Sequence, residues 1–293
     1  QLRSRIKKLQ RFLSLPQFNL ETLWLPLIES WIQQEWEPGE VMYIVIDRTQ
    51  WKENNLILVS WVYVHRAIPL YGAWLAKKGN SKLEQQKSVL EPVLSRLKKY
   101  KIVVLGDREF CGVDLAKWLS QEKQVYFSLR LKKNEYVELA PQIWWQLKDL
   151  GLSPGMSVYY QGVKVTKTKG FGGVNLSAKW KRKYRGRSSK EPWFIMTNLE
   201  NLSLALSAYS QRMGIEEMFR DFKQGGYELE GTQVTGQRLI SLVLLISLAY
   251  CWSTFSGQSL KKKGVAKYVS RPTSSHRSYP QHSSFYIGLH GQN

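Results

Sequence analysis

The sequence predicts an α/β fold built on a mixed β-sheet with flanking helices. Two short runs, Val41–Ile46 and Ile102–Leu105, are apolar without interruption, which is typical of strands buried on both faces. A long helical segment, Ser81–Tyr100, lies between them. Up to Leu131 the predicted order is three strands, a helix, a strand, a helix and a strand, which indicates an α/β domain.

The other elements of this part follow from periodicity and from Pro and Gly breaks. The first 36 residues predict helices: a basic amphipathic segment, Arg3–Leu15, a Leu-Pro break, and a second segment, Leu20–Trp36. Pro38-Gly39 ends this helical part before the first strand. Two more strands in a hairpin or meander, a helix and a last strand are predicted at Leu56–Ile68, Pro69–Leu75, Val113–Lys123 and Val125–Leu131.

Residues 134–200 predict a β-rich insertion, because their pattern is short, strand-like and punctuated by Gly and Pro. Residues 163–190 within it contain ten basic residues and no acid: Lys164, Lys167, Lys169, Lys179, Lys181, Arg182, Lys183, Arg185, Arg187 and Lys190. This density indicates a flexible basic loop or an arm that contacts phosphates. We favour the phosphate interpretation, since a merely solvated loop usually mixes both signs of charge.

Helix is predicted again at Leu202–Lys223 and Gln237–Trp252. The apolar run Leu242–Trp252 is too short to span a bilayer and predicts a buried helix. After Gly257 the sequence becomes rich in Ser, Lys and Arg, which predicts an irregular basic tail. The predicted organisation is a helical segment (1–36), a core (37–133 and 201–256), the β-rich insertion (134–200) and the tail (257–293).

Charge is the strongest compositional signal. The chain of 293 residues carries 43 Lys+Arg against 23 Asp+Glu, a formal charge of +20. Such a surplus predicts a polyanionic partner, usually nucleic acid. An anionic membrane is the competing partner, but no signal peptide opens the sequence, and we expect no membrane partner. Two cysteines, Cys111 and Cys251, fit a reducing interior and cannot form a zinc cluster by themselves.

Two aspartates stand at the ends of the two buried strands. Asp47 directly follows Val41–Ile46, and Asp107 follows Ile102–Leu105. Open α/β sheets place their active sites at this edge, so neighbouring strands would bring both carboxylates together. Carboxylates so close repel unless a cation joins them, and oxygen donors select Mg²⁺ or Mn²⁺. Each aspartate alone would more simply cap a strand or a helix.

Four polar residues recur at helical spacing in the segment Ala208–Lys223. On a helix of about 100° per residue, Tyr209, Arg212, Glu216 and Lys223 fall within about 60° of one another, and Arg220 borders them. A carboxylate set among cations and a phenol suits phosphate and metal chemistry. The alternative is a solvated charged stripe held by i,i+4 pairs.

These motifs carry a family resemblance. The spacing Y-x2-R-x3-E-x6-K from Tyr209 to Lys223 resembles the signature of bacterial DDE transposases of the insertion-sequence-four family. Asp47-Arg-Thr-x-x-Trp51 and Gly106-Asp-Arg-Glu-Phe110 resemble the contexts of that family's two aspartates. The resemblance extends from about residue 40 to 252. Only about forty residues precede the first strand, so we expect the family's N-terminal DNA-binding region to be truncated here.

The resemblance implies a ribonuclease-H-like core, interrupted by the β-rich insertion before the last catalytic helix. It implies cut-and-paste transposition of an insertion sequence in the bacterial cytoplasm, at the nucleoid, through end nicking, hairpin formation and strand transfer. Asp47, Asp107 and Glu216 would be catalytic and would bind two Mg²⁺ or Mn²⁺ ions. The partners would be transposon ends and target DNA, with a homodimer in the synaptic complex.

The resemblance also implies the DNA-binding residues. Tyr209, Arg212 and Lys223 would bind phosphates at the transposon end, and Trp193 would stack on a flipped-out base. Core packing is the alternative for Trp193, and a solvated side chain is the alternative for Arg220, which would add a phosphate contact. Two other functions stay open at this point: a ribonuclease-H-like nuclease or resolvase, and a truncated, inactive DNA-binding remnant.

Overall fold

A computed structural model describes residues 2–182, 189–269 and 282–291. The chain divides into two compact units, a larger one of Leu20–Gln233 and a smaller one of Gln1–Asn19 with Val234–Asn293. These boundaries differ from the predicted ones. The predicted helical segment 1–36 is divided between the two units, and residues 234–256, predicted as part of the core, belong to the smaller unit.

One mixed sheet dominates the larger unit. Its strands are β1 Val41–Trp51, β2 Asn54–Tyr63, β3 Arg66–Trp74, β4 Lys101–Gly106, β5 Tyr126–Arg130, β6 Tyr136–Ala140, β7 Ile143–Gln146, β8 Ser157–Val165, β9 Phe171–Lys179 and β10 Trp193–Thr197. Their order across the sheet is β3-β2-β1-β4-β5-β10-β9-β8-β6-β7. Strands β1, β4 and β5 are parallel, and the other pairings are antiparallel. The predicted α/β class with a mixed sheet is confirmed.

The helices in chain order are α1 Leu2–Phe12, α2 Leu25–Glu35, α3 Leu83–Arg96, α4 Val113–Lys117, α5 Leu202–Gln211, α6 Met213–Lys223, α7 Gly236–Lys262, α8 Ala266–Val269 and α9 Ser284–His290. Two π-helical turns, Leu20–Trp24 and Trp118–Glu122, lead into α2 and continue α4. Buried Trp24 donates from Nε1 to the Pro69 carbonyl at 3.0 Å, which fixes this first turn against β3.

The hairpin of β2 and β3 turns earlier than predicted. The turn consists of Val64 and His65, whose φ angles are both positive, 44° and 64°. Such turns usually contain Gly or Asn, so Val-His gives no turn signal and the break was expected at Pro69 instead. Pro69 lies inside β3, beside a register shift at Val59/Ser60, where a missing backbone N–H is tolerated.

The predicted β-rich segment extends the central sheet. Strand β10 pairs with β5 through Ile195 and Arg130, and β9, β8, β6 and β7 follow it outward. The strand-like character is therefore confirmed, and these strands share the sheet of the core. Of the ten basic residues, Lys164 and Lys179 lie in β8 and β9, whereas Lys183, Arg185 and Arg187 lie outside the described residues.

The smaller unit is helical. Helix α7 packs on α9, with the rings of Tyr250 and Phe285 4.8 Å apart. The prediction of an irregular tail after Gly257 is wrong where the structure describes it, because α7 continues to Lys262 and α9 follows. The remainder of that prediction, at 270–281 and 292–293, falls outside the described residues.

Helix α7 contains the apolar run Leu242–Trp252. Its 27 residues exceed the predicted length, and by length and composition alone it could cross a membrane. Core helices of soluble proteins pass the same test, and just over half of its most apolar window is buried inside the protein. Leu239, Leu244 and Tyr250 are among its buried side chains, in agreement with the predicted buried helix.

Candidate active site

The parallel pair β1 and β4 brings two aspartates to one edge of the sheet. Ile46 pairs with Gly106, so Asp47 and Asp107 follow at matching positions on strands about 4.8 Å apart. Gly106 is required by close packing, since a Cβ there would lie 2.7 Å from Phe110 Cβ. The chain then turns, with Asp107 Oδ1 accepting from the Glu109 amide at 2.8 Å. The predicted neighbouring of the two strands is confirmed.

Asp47 is the electrostatically strained member of the pair. Its pKa is raised to about 7, first by burial, then by the neighbouring Asp107 and, less strongly, by Glu216. The Arg212 guanidinium and the Arg48 amide act in the opposite direction. The influence of both other acids on this one carboxyl shows that the three predicted acids occupy one electrostatic neighbourhood.

The segment that carries the third acid is two helices. Helix α5 ends at Gln211 and α6 begins at Met213, so the predicted continuous helix is wrong at Arg212. Close packing accompanies the break, because a Cβ on Gly214 would lie 3.1 Å from the carbonyl oxygen of His65 in the β2–β3 turn. A helix start pressed this closely onto the hairpin is a tertiary constraint that helical periodicity does not reveal.

The break changes which side chains are accessible. Tyr209 and Arg212 are buried, whereas Glu216 is 47% exposed and Arg220 is 61% exposed. The expected single stripe from Tyr209 to Lys223 therefore does not form one surface. It becomes a buried part beside Asp47 and an exposed part along α6.

Arg212 bridges two of the acids. Its Nη1 lies 3.2 Å from Asp47 Oδ2, and its Nη2 bonds Glu216 Oε1. Among the described residues, neither Arg212 Nε nor Tyr209 Oη has a hydrogen-bond partner in acceptable geometry, although both are buried. Burial raises the pKa of Tyr209, and Arg212 and Arg130 oppose that rise. The acidic and basic charges of the cluster are therefore paired, but two of its buried polar atoms make no well-formed hydrogen bond.

An aromatic and basic group adjoins the buried part. The rings of Trp193 and Tyr209 meet edge to face with centroids 5.0 Å apart, and Lys181 Nζ lies 4.5 Å from the Trp193 ring centre. Glu191, two residues before Trp193, pairs with both Arg108 and Arg130. Trp193 is only partly buried, so its ring both packs on Tyr209 and keeps an accessible part.

The last two predicted DNA-binding residues lie along α6. Lys223 Nζ is 3.0 Å from Glu230 Oε1 and 5.6 Å from the ring centre of Trp51, at the end of β1. Arg220 pairs with Glu217 three residues earlier. The structure thus brings Tyr209, Arg212 and Trp193 together beside the acids and places Lys223 and Arg220 farther along the helix.

The donor chemistry suits a hard divalent cation. Asp47, Asp107 and Glu216 offer carboxylate oxygens, the ligands that Mg²⁺ and Mn²⁺ prefer. Within residues 2–182, 189–269 and 282–291, no three acidic, His or Cys side chains are grouped closely enough to enclose a metal ion. Arg212 lies between two of the acids and supplies the positive charge there. The three carboxylates are therefore donors of the right chemical type, but Arg212 occupies the position between two of them, and the predicted pair of ions stays a prediction.

Arg130 and Glu191 are site residues that sequence reasoning missed. Arg130 ends β5, the third parallel strand, so it lies at the same sheet edge as Asp47 and Asp107. That position was available as a signal, because active sites of α/β sheets gather at the carboxyl ends of parallel strands. Glu191 gave no comparable signal, since its contacts depend on the pairing of β10 with β5.

Residues 74–252 match the Transposase DDE domain family, which is more than half of the chain. The chain belongs to this family of DNA transposases. The family implies a metal-dependent enzyme of phosphoryl transfer on DNA, in agreement with the coarser part of the prediction. Asp107, Glu216 and the Tyr209–Lys223 segment lie inside the matched range, whereas Asp47 lies before it.

Solved structures give weaker likenesses. A piggyBac transposase synaptic complex with hairpin DNA is similar with a TM-score of 0.42 and 12% identity, over 89% of this chain and 65% of that one. The chain thus spans slightly less than two thirds of that transposase. The Argonaute of Marinitoga piezophila is similar with a TM-score of 0.25 and 9% identity, over 74% of this chain and 31% of that one. No curated protein matches the chain.

Proposed function

We propose that this chain is an insertion-sequence-four-type DNA transposase that excises its element by cut-and-paste transposition. The observation that carries the proposal is the meeting of Asp47 and Asp107 on neighbouring parallel strands, with Glu216 linked to Asp47 through Arg212. The Tyr209–Lys223 spacing and the family membership support the same conclusion. We infer that the active protein works at the bacterial nucleoid.

The core is proposed to be ribonuclease-H-like. Three antiparallel strands followed by two parallel ones, in the order β3-β2-β1-β4-β5, support this, with β1 central and an acid at its carboxyl half. Strands β6 to β10 occupy the stretch between Asp107 and Glu216, where the resemblance expects an insertion.

Asp47, Asp107 and Glu216 are proposed to hold two Mg²⁺ or Mn²⁺ ions. When bound, such ions activate the attacking oxygen and stabilise the leaving one in phosphoryl transfer. The protein contributes the rigid part of this site. Gly106 fixes the turn that presents Asp107, and Gly214 seats the start of α6, which presents Glu216.

The DNA steps are proposed to be four successive phosphoryl transfers, one of which is the attack of water that opens the hairpin and regenerates the 3′-OH. Water attacks a phosphorus at the transposon end, and the bond to the 3′ oxygen breaks, which releases a 3′-OH. That 3′-OH attacks the opposite strand and forms a hairpin, and after hairpin opening it attacks target DNA. We infer that two protomers hold two ends together, as a homodimer on DNA.

The cations and aromatic rings are proposed to bind the transposon end. Tyr209 Oη and Arg212 Nε are buried donors that lack partners among the described residues, so a phosphate oxygen would satisfy them. Trp193 is proposed to stack on a flipped-out base beside Tyr209. Lys223 and Arg220 are proposed to contact phosphates farther along α6.

The test is cleavage of a duplex that carries the element's terminal repeat, in Mg²⁺. Asp47→Asn, Asp107→Asn and Glu216→Gln should each reduce nicking at least a thousandfold while DNA binding survives. Glu217→Gln is the matched control, because Glu217 is the next residue on α6 and pairs only with Arg66 and Arg220 among the described residues. It should keep most of the activity.

The products distinguish the competing functions. Nicking followed by hairpin formation and joining supports transposition. Cleavage that ends at a nick or a double-strand break, with no joining, would show a nuclease or resolvase. Binding without any cleavage by the wild-type protein would show an inactive remnant. Full nicking by any of the three acid variants would overturn the site.

A further inference from the structure

The Arg212 guanidinium occupies the carboxylate oxygens that a cation would need. It contacts Asp47 Oδ2 at 3.2 Å and also bonds Glu216 Oε1, with only 8% of its own side chain exposed. Among the described ion pairs, Asp47 and Glu216 have no other basic partner. A single buried guanidinium therefore neutralises two acids that come from different elements, Asp47 from β1 and Glu216 from α6.

The side of the Arg212 guanidinium that faces away from the acids has a hydrogen-bond donor that a ligand could still use. Arg212 Nε and the adjacent Tyr209 Oη are both buried, and neither makes a hydrogen bond of good geometry within the described residues, although the Arg212 guanidinium lies close enough to the phenol to lower its pKa. Buried donors of this kind are costly unless a ligand satisfies them. A phosphate oxygen is the natural acceptor for a guanidinium and a phenol together.

The backbone around Arg212 is compatible with two orientations of its side chain, one toward the acids and one toward the Tyr209 and Trp193 rings. Arg212 lies at the junction of α5 and α6, outside the regular hydrogen bonding of both helices. Its own amide donates to the Tyr209 carbonyl at 3.2 Å, and the Ile215 amide donates to its carbonyl at 3.1 Å, both tight three-residue turns. The side chain of Arg212 therefore starts at the helix junction, with the acids on one side and the rings of Tyr209 and Trp193 on the other.

We propose that Arg212 exchanges between the acids and a DNA phosphate, so that divalent-cation binding and DNA-end binding depend on each other. Without DNA, its guanidinium holds Asp47 and Glu216 and competes with the cation. At a DNA end, its guanidinium binds a backbone phosphate and leaves both carboxylates available. This inference rests on the proposed function, because it takes Asp47 and Glu216 as cation ligands.

The first test measures Mn²⁺ binding to the DNA-free protein by electron paramagnetic resonance. Arg212→Gln should bind Mn²⁺ at least tenfold more tightly than wild type, because the competing charge is gone. Adding Glu216→Gln to that variant should remove the gain. Equal Mn²⁺ affinity in wild type and Arg212→Gln would overturn the proposal.

The second test repeats the titration with a duplex that already ends at the terminal repeat. DNA should strengthen Mn²⁺ binding to wild type at least fivefold, and Mn²⁺ should strengthen DNA binding by the same factor. In Arg212→Gln this coupling should fall close to one. Lys101→Gln, a control at the exposed start of β4, should keep the coupling, and equal coupling in wild type and Arg212→Gln would overturn the proposal.

Loss of folding and failure of the proposed function give different results. If thermal unfolding shows that Arg212→Gln is unfolded, Arg212→Lys replaces it, because one ammonium cannot bridge both acids in the same geometry and should give part of the gain. If Asp47→Asn retains nicking, the proposed site fails whatever the Mn²⁺ titrations show. If nicking depends on all three acids and the titrations show no coupling, only the role of Arg212 fails.

Discussion

Two arginine–carboxylate clusters lie close together in this protein and differ in how completely they are satisfied. Arg48 donates from Nε to both oxygens of Glu109, at 2.9 and 2.7 Å, and from Nη1 to Asn55 Oδ1 at 2.9 Å. Glu109 also accepts from the amide and the hydroxyl of Ser81, at 2.8 and 2.7 Å. The charged groups of Arg48 and Glu109 in this first cluster are therefore bonded to other groups of the protein and do not need a ligand.

The second cluster, Asp47, Arg212 and Glu216, has a similar composition but unfinished bonding. Arg212 Nε and Tyr209 Oη lack partners within the described part of the chain, and Asp47 has a pKa of about 7 because of its burial and its acidic neighbours. Sequence analysis named all three residues of the second cluster as site candidates, whereas Arg48 and Glu109 stood only as neighbours of the two aspartates in their motifs. The second cluster combines a carboxyl of perturbed pKa with a charged partner, which is typical of functional sites, whereas unsatisfied polar groups also occur elsewhere in the described residues, as at Tyr100 and Thr254.

The largest expected effect comes from breaking the satisfied cluster. Glu109→Ala should lower the free energy of unfolding by about 3–5 kcal/mol, because it leaves the largely buried Arg48 and the Ser81 amide without their acceptor. Denaturant unfolding followed by fluorescence measures this loss. Glu216→Ala is the counterpart in the second cluster and should cost less than about 1 kcal/mol, since Glu216 is 47% exposed. Similar losses in both variants would contradict the comparison.

The next effect is the pH dependence of stability in the second cluster. Burial, Asp107 and Glu216 raise the folded pKa of Asp47 from 3.8 to about 7, so the folded state keeps a proton that the unfolded state loses. Stability from this group is therefore present below about pH 4 and is lost as pH rises to about 7. Its steepest decline should be about 1.4 kcal/mol per pH unit.

Asp47→Asn isolates that contribution. Unfolding free energies measured without divalent cations from pH 4 to 8 should decline less steeply in this variant than in wild type. Glu109→Gln is unsuited as a reference because it disrupts the other cluster, so Glu217→Gln on exposed α6 serves instead. Parallel pH profiles for wild type and Asp47→Asn would show that Asp47 does not titrate in this range.

Much of the site could be predicted because it depends on strand ends and short spacings. Buried apolar runs located β1 and β4, and the rule that parallel strands present function at their carboxyl ends pointed to Asp47 and Asp107, although β1 continues past Asp47 to Trp51. The spacing from Tyr209 to Glu216 predicted that Arg212 and Glu216 lie on one helical face, and the two side chains are paired in the structure. These signals are local, because each can be read in a short stretch of sequence without knowing how the chain packs.

What could not be predicted depends on contacts between distant segments. The break at Arg212 is accompanied by Gly214 packing on the carbonyl of His65, almost 150 residues earlier in the chain. The turn at Val64 and His65 has positive φ without Gly or Asn, so turn chemistry did not reveal it. Tyr209 and Arg212 are both buried, whereas helical periodicity had placed them on one stripe with the more exposed Glu216.

The smaller unit shows the same limit. Composition after Gly257 predicted an irregular tail, but α7 continues to Lys262 and Tyr250 packs on Phe285 of α9. Serine-rich sequence reads as irregular when taken alone, whereas Ser284 Oγ donates to Gln258 Oε1 at 3.0 Å and helps to join the two helices. The low hydrophobicity of this segment predicted irregular structure, but packing between α7 and α9 stabilises helices there.

A smaller effect is expected from the glycine that positions the second cluster. Gly214→Ala should reduce stability by about 1–2 kcal/mol and reduce nicking, because the new Cβ would lie 3.1 Å from His65 O and displace the start of α6. Thermal unfolding and the nicking assay measure both changes. Gly231→Ala is the matched control, since a Cβ there has no neighbour within 4 Å among the described residues. An unchanged Gly214→Ala variant would show that the close packing does not position Arg212 and Glu216.

The smallest expected effect concerns Lys223. Its bonding is less complete than that of the first cluster and more complete than that of the second. It is paired with Glu230 at 3.0 Å, yet its helix runs from the acids toward Trp51. Lys223→Ala should weaken DNA binding about uniformly across sequences and lower the slope of log affinity against log salt by about one, because one phosphate contact is lost. Lys101→Ala is the control at the opposite end of β4 and should leave the slope unchanged. If both variants have the wild-type slope, the contacts of Lys223 with Glu230, the Gln50 carbonyl and the Trp51 ring account for its role, and α6 contacts DNA only near Arg212.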